Sequence, residues 1–399
     1  MKKIALILFG FLLLGLLEII LRIAIPATRL NLLESVLTIC EEDNDFIWKQ
    51  RENINTIFQG KEVSTNNLGL RNNSIPKEKS SGTFRIICLG ASSTFGWGVE
   101  RTEAYPAVLE TMLNKTLSPK KIEVINAGQI GYTTYQGKKF FKDRLVDYKP
   151  DAVTIEYLLN DVDQCRFFRN DGRRDSQTPR LPAAALELRK WMTQSRIYLC
   201  LQRIIGNFKQ KNTAYAAAIL KNRFTLSTIR VTQKEYEKNI SEIIEFCISR
   251  GISVVLIKMP VNLSLPILNE TEKDFINNQF SLSAYYFNIA CEYEKNCDFD
   301  TASVFYKKSL DYQVLECTKA GKLYQQSMKK TAEHYAVPMV DADTAFRNAS
   351  NGAQLFNLPR DAIHPSPRGH RIIAEFVYGK LAEIINRKNL SKNSHERKN

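Results

Sequence analysis

The sequence predicts an α/β fold: a parallel sheet with helices on both faces. Two observations carry this. Continuous apolar runs of strand length recur, most clearly at 84–89 (FRIICL) and 252–259 (ISVVLIKM), as expected of strands buried on both faces. Segments with helical spacing separate them, and strands that alternate with helices imply crossover connections.

The elements follow in order. The first strand, 84–89, ends at Gly90. Val108, Leu109, Met112 and Leu113 give 104–117 a helical period. A second strand at 122–125 precedes a helix at 135–146, and 152–159 is the third strand. A helix at 240–248 leads into the fourth strand, 252–259. A helix at 318–335 leads into a short fifth strand, 337–340, and a helix at 367–385 closes the domain.

Other segments stand outside this alternation. Residues 27–83 have few long apolar runs: 63–71 reads as a short hairpin or extended stretch and 72–82 as a polar linker. Residues 162–231 form one insertion. Within it, Leu186, Trp191, Ile197, Leu201, Ile204, Ile205 and Phe208 line one side of a helix over 183–208. The preferred reading is a cap packed on the domain's own surface; a lid over the site and a membrane-surface helix are the alternatives. Its basic flank, Arg166, Arg169, Arg173, Arg174 and Arg180, reads as a solvated loop. A second insertion, 260–317, places Tyr286, Ile289, Ala290, Tyr293, Ala302, Tyr306 and Ser309 at the offsets of a tetratricopeptide repeat. One such repeat reads as a docked helical hairpin, with protein-partner binding as a lesser option. The tail, 386–399, is basic and expected to be disordered.

At the N-terminus, Lys2 and Lys3 precede an apolar run over 4–17, interrupted by Glu18 and Arg22 and resuming to Ile25. The two charges stand four residues apart and can pair on one helix face. As a helix, 4–25 would be ~33 Å long, enough for a ~30 Å hydrocarbon core. Residues 1–26 are therefore expected to form a single transmembrane anchor. A cleaved signal peptide is the rival, with Ile25-Pro26-Ala27 its best cleavage site. Glu34, Glu41, Glu42, Asp43 and Asp45 follow the span, so the body is expected outside the cytoplasm, in a periplasm or at the cell surface.

Composition narrows the function. Hydrophobic residues are 44% and charged residues 25%, which excludes a disordered chain, a collagen-like repeat and a polytopic membrane protein. Lys+Arg 56 against Asp+Glu 42 gives +14, favouring anionic partners such as a membrane surface or an acidic glycan. Export makes nucleic acid an improbable partner. The eight cysteines are scattered and include no C-x-x-C pair, and there are four histidines; no cofactor or metal site is expected. Cys88, Cys200 and Cys247 read as buried small hydrophobes. Cys291 and Cys297 can pair if the compartment is oxidising.

Four short blocks carry chemistry. Gly90-Ala91-Ser92-Ser93-Thr94-Phe95-Gly96 follows the first strand and presents a serine at the carboxyl edge of the sheet, where open α/β sheets bind ligands. Asn126-Ala127-Gly128-Gln129-Ile130-Gly131 ends the second strand, and Asn160-Asp161 the third. Asp361-Ala362-Ile363-His364 precedes the last helix, its carboxylate and imidazole able to share one turn. Singly, each also reads as a turn or a helix cap. Together, their order and placement resemble the SGNH hydrolases, the GDSL esterases and lipases, over 84–160, 232–259 and 337–385. The resemblance implies a flavodoxin-like three-layer α/β/α sandwich spanning 84–385. It also implies Ser92 as nucleophile, His364 as general base and Asp361 as its orienting carboxylate. Ser92 N–H, Gly131 N–H and the Asn160 side chain would form the oxyanion hole. Two positions depart from the family pattern: Ala91 replaces the Asp of the serine block, and Leu158 the Gly of the asparagine block. His370 is a poorer base, lying inside the last helix.

This constellation activates a serine for acyl transfer. The expected activity is an esterase acting on an O-acyl, in particular O-acetyl, group of a cell-envelope carbohydrate, or on a lipid ester. The alternatives are an exopolysaccharide O-acetyltransferase using the same triad and a non-catalytic scaffold of the same fold.

Overall fold

The computed structural model describes residues 2–26, 32–117, 121–162, 168, 173–210, 229–260, 282–296, 298–349, 355–357 and 364–396. The chain opens with helix α1 (Lys2–Ala24), whose mean hydropathy of 2.9 and length suit a membrane span and none of which is buried. Helix α2 (Leu32–Ile39) leads into two antiparallel hairpins, β1 (Cys40–Asp43) with β2 (Ile47–Gln50), and β3 (Asn55–Phe58) with β4 (Lys61–Ser64). The stretch expected over 63–71 as a short hairpin or extended segment is the extended end of β4 followed by a turn, in which Asn66 Oδ1 accepts from Leu68 and Leu70 N–H.

The central sheet holds five parallel strands: β5 (Phe84–Gly90), β6 (Ile122–Gly128), β7 (Ala152–Glu156), β8 (Ser253–Lys258) and β9 (Met339–Asp341). Their spatial order is β6-β5-β7-β8-β9, the doubly wound order in which ligands bind where winding reverses, at the β5/β7 boundary. Gly90 of β5 is in register with Gly128 of β6 and Glu156 of β7, so the loops leaving these three strands meet at one edge. The third strand ends at Glu156, short of Leu159, because Leu159–Val162 turns into a helix.

Burial on both faces explains the unbroken apolar runs. Ile87 and Leu89 of β5 point into one core with Val153, Ile155, Val254 and Leu256; Phe84, Ile86 and Cys88 point into the other with Val255 and Ile257. Each such side chain contributes about 1.5–3 kcal/mol. Burial also pushes the Cys88 and Cys247 thiols up to about 12; Cys200 is half-buried. A helix at Tyr105–Thr116 and the last helix, Pro367–Glu396, cover the second face; helices at Thr134–Phe140 and Gln233–Ile248 cover the first.

Three expectations change here. The cap is two helices, Ala183–Met192 and Arg196–Gln210, broken at 193–195. The helical hairpin and the helix after it are not separate: Leu282–Lys295 pairs with one 36-residue helix, Phe299–His334, that runs on into the body. The last helix continues through Glu396 instead of fraying after Ile385. No Gly or Pro interrupts 380–396, and Lys388 Nζ ties it to the Asp151 and Gly251 carbonyls. The Cys291–Cys297 pairing lies outside the described residues.

Candidate active site

The turn that carries Ser92 leaves the carboxyl end of β5. Ser92 opens a one-turn helix, Ser92–Phe95, closed by Gly96 at φ 88°, whose N–H returns to the Ser92 and Ser93 carbonyls. A methyl on Gly90 would stand 2.0 Å from Thr94 Oγ1 and 2.6 Å from Glu156 Oε2, so only glycine permits this tight exit. Ser92 Oγ lies 2.9 Å from His364 Nε2. The His364 ring stacks on Trp97 at 4.7 Å and 10°. Asn357 bridges the two segments: its N–H donates to the His364 carbonyl at 3.0 Å and its amide to the Trp97 carbonyl.

His370 is excluded as a rival base. It is fully buried, its Nδ1 accepts from Tyr105 N–H, and burial lowers its pKa to about 3.

The glycine loop after β6 is held from three sides. Gly131 sits at φ 74°, and its carbonyl accepts from Arg230 Nη1 at 2.7 Å. Trp48 Nε1 donates to the Ile130 carbonyl, Tyr132 Oη to the Trp48 carbonyl, and Gln50 Nε2 to the Gly128 carbonyl. Asn160 Nδ2 donates to the Tyr132 carbonyl at 3.1 Å, which brings the asparagine block onto the glycine loop. One Nδ2 hydrogen remains for a ligand. Asp161 is buried and accepts from Thr134 N–H and Oγ1 at the first turn of the helix Thr134–Phe140, and burial raises its pKa to about 7.

Arg230 is itself buried. It pairs with Asp175 at 2.9 Å, reaches Gln136 Oε1, and stacks over the Trp48 ring at 4.8 Å. Asp175 also accepts from Thr133 Oγ1. Arg71, buried without a carboxylate partner among the described residues, donates to the Gly96, Val99 and Glu62 carbonyls; burial lowers its pKa to about 10. It fixes the turn C-terminal to Ser92.

Both departures from the family pattern have a structural counterpart. At Ala91, a carboxylate is supplied from β7: Glu156 Oε2 accepts from Thr94 Oγ1 at 2.8 Å and from Ala91 N–H at 3.4 Å. Leu158 is buried beside the long helix at Gly321, where even an added methyl would meet Leu158 Cδ2 at an ordinary contact distance of 3.7 Å.

Glu156 carries a pH signature. Burial raises its pKa from 4.5 to about 7, so the native state binds more protons than the unfolded chain between those values and stability falls as pH rises through them. Glu156→Gln removes this dependence. Urea midpoints from pH 4.5 to 7 should shift in favour of the variant by up to about 3 kcal/mol. A pH-independent difference would show Glu156 ionised throughout.

Of the anticipated residues, Ser92 and His364 are in direct contact, and Asn160 meets the Gly131 loop through Tyr132. Asp361 lies outside the described residues. Trp97, Glu156, Asp175, Arg71 and Arg230 were not singled out for the site; nothing in their spacing marks them, because each acts through a contact distant in sequence.

No curated protein matches the chain. Solved structures that align with the chain include a lipase/acylhydrolase from Enterococcus faecalis (14% identity, covering 75% of this chain and 95% of that one, TM-score 0.38). A mutant acetyl-xylooligosaccharide esterase from Geobacillus Stearmophilus is another (15%, 76% and 94%, 0.38), as is an acetyl xylan esterase, AlAXEase (14%, 74% and 99%, 0.38). Residues 88–279 match the model of the GDSL-like lipase/acylhydrolase family. Over those residues, just under half of the chain, the sequence is similar to GDSL-like lipases and acylhydrolases, and the match supports a hydrolase acting on ester bonds.

Proposed function

We propose that the chain is a membrane-anchored serine esterase that removes O-acyl, in particular O-acetyl, groups from a cell-envelope carbohydrate. The observation that carries the reaction is the 2.9 Å contact between Ser92 Oγ and His364 Nε2. An imidazole nitrogen at that distance takes the hydroxyl proton as the oxygen attacks the ester carbonyl. For Nε2 to accept, the ring proton sits on Nδ1, and Asp361, three residues earlier, is the proposed carboxylate that holds it there. The charge on the carbonyl oxygen is met by Ser92 N–H, Gly131 N–H and Asn160 Nδ2, each such donor being worth about 3–4 kcal/mol in the transition state. His364 returns the proton to the departing alcohol, and water then releases the acyl group. The substrate reading rests on the apolar helix α1, taken as an uncleaved anchor with the body outside, and on the +14 charge, which suits an anionic glycan.

The test is a fluorophosphonate probe on the full chain in detergent, read by intact mass. One adduct is expected, absent from Ser92→Ala. An adduct that persists in Ser92→Ala, or no adduct on folded protein, would overturn the assignment.

A further inference from the structure

The cap helices bury one side and leave large apolar side chains exposed on the other, beside the charged Glu187 and Arg189. Leu186 and Leu199 are buried against the body. Two and five residues after each, on the opposite side of its helix, stand Leu188 and Trp191, and Leu201 and Ile204. These four are 56%, 69%, 51% and 50% exposed. A solvated face would be polar at such positions.

The same element is fastened to α1. Glu18 accepts from Arg196 N–H, Ile197 N–H and Ser195 Oγ at 2.8–3.0 Å, capping the helix Arg196–Gln210. Arg22 pairs with Glu18 and donates to the Gln194 carbonyl, and Arg196 Nε reaches the Ile25 carbonyl. The two charges that interrupt the apolar run are thus used to seat the cap. An ionisable pair inside a membrane helix is costly unless partnered, and here the partner is the cap's own N-terminus.

We infer that the outer face of 183–204 lies in the interfacial layer of the bilayer entered by α1, with Leu188, Trp191, Leu201 and Ile204 among the lipids. The inference rests on α1 being a retained membrane helix. Its occupant follows from continuity: the hydrogen bonds that join residues 194–197 of the cap to residues 18–25 of that helix lie in sequence between the two exposed apolar pairs. The body would then have two attachments, and the catalytic edge a fixed height and tilt above the membrane.

Trp191 reports on this directly. Trp48 is buried and Trp97 is half-buried against His364. The full chain is reconstituted in phosphatidylcholine vesicles, isolated by flotation, and its emission compared in vesicles of dibrominated phosphatidylcholine, beside Trp191→Phe. Faces of this kind sit ~5–10 Å into the interface, so roughly half of the Trp191 emission should be lost to bromolipid. Trp191→Phe should remove that quenchable component and stay folded, since the ring is exposed. Floated protein whose Trp191 is quenched by aqueous iodide but not by bromolipid would overturn the inference and leave the anchor standing. Protection from both quenchers would mean a protein cover and also overturn it. Protein that does not float would overturn the anchor and the inference together.

Discussion

His364→Ala should lower kcat by about 10⁵–10⁶-fold while leaving the denaturation midpoint nearly unchanged. Removing the base of a serine triad costs about as much as removing the nucleophile, because neither acts without the other. No neighbour among the described residues replaces it: His370 is buried, its Nδ1 is occupied by Tyr105 N–H, and its pKa of about 3 leaves it too weak a base. His364 is only half-buried, so the fold loses little beyond the Trp97 stack. Steady-state turnover of a small acetyl ester by the variant checks this, and a drop of less than about tenfold would point to another base.

Arg230→Met should lose about 3–5 kcal/mol of stability, the cost of leaving one member of a buried ion pair uncompensated. Asp175 is 2% exposed and Arg230 1%. The double variant Arg230→Met, Asp175→Asn should recover much of the loss, because the stranded charge is then gone. Turnover separates the second role. Arg230 Nη1 holds the Gly131 carbonyl, so both variants should stay slower than the parent even where folding recovers. Urea midpoints and kcat on the three proteins test this; a single variant within about 1 kcal/mol of the parent would mean water or a new partner has satisfied Asp175.

The sheet was legible because burial on both faces leaves an unmistakable mark: strands such as β5 contain almost no polar residue. The glycines and serines of the site were legible through their place after those strands. The braces were not. β1 to β4 are four residues each and too short for a period to stand out. Asp175 lies in the basic flank that reads as solvated loop and Arg230 beyond the cap helix, and only the fold pairs them beside Trp48. Arg174 and Arg180 do lie at the surface, paired with Glu235 and Asp45. The long helix was split in two by expectation because its outer half follows a repeat-like pattern and its inner half a sheet-covering one. Nothing between them breaks it, since Gly321 alone is a tolerated interruption.

The hairpins ahead of β5 have a consequence for where this enzyme begins. Family likeness starts at residue 88, yet the loop presenting Gly131 leans on Trp48 and Gln50, and the turn after Ser92 on Arg71. The smallest autonomous unit therefore starts near residue 32, not at the first sheet strand. A fragment trimmed to the sheet and its helices would keep every reacting atom and lose the frame that aims them. During synthesis, Trp48 waits for a partner made some eighty residues later, and the edge it braces waits longer still for His364.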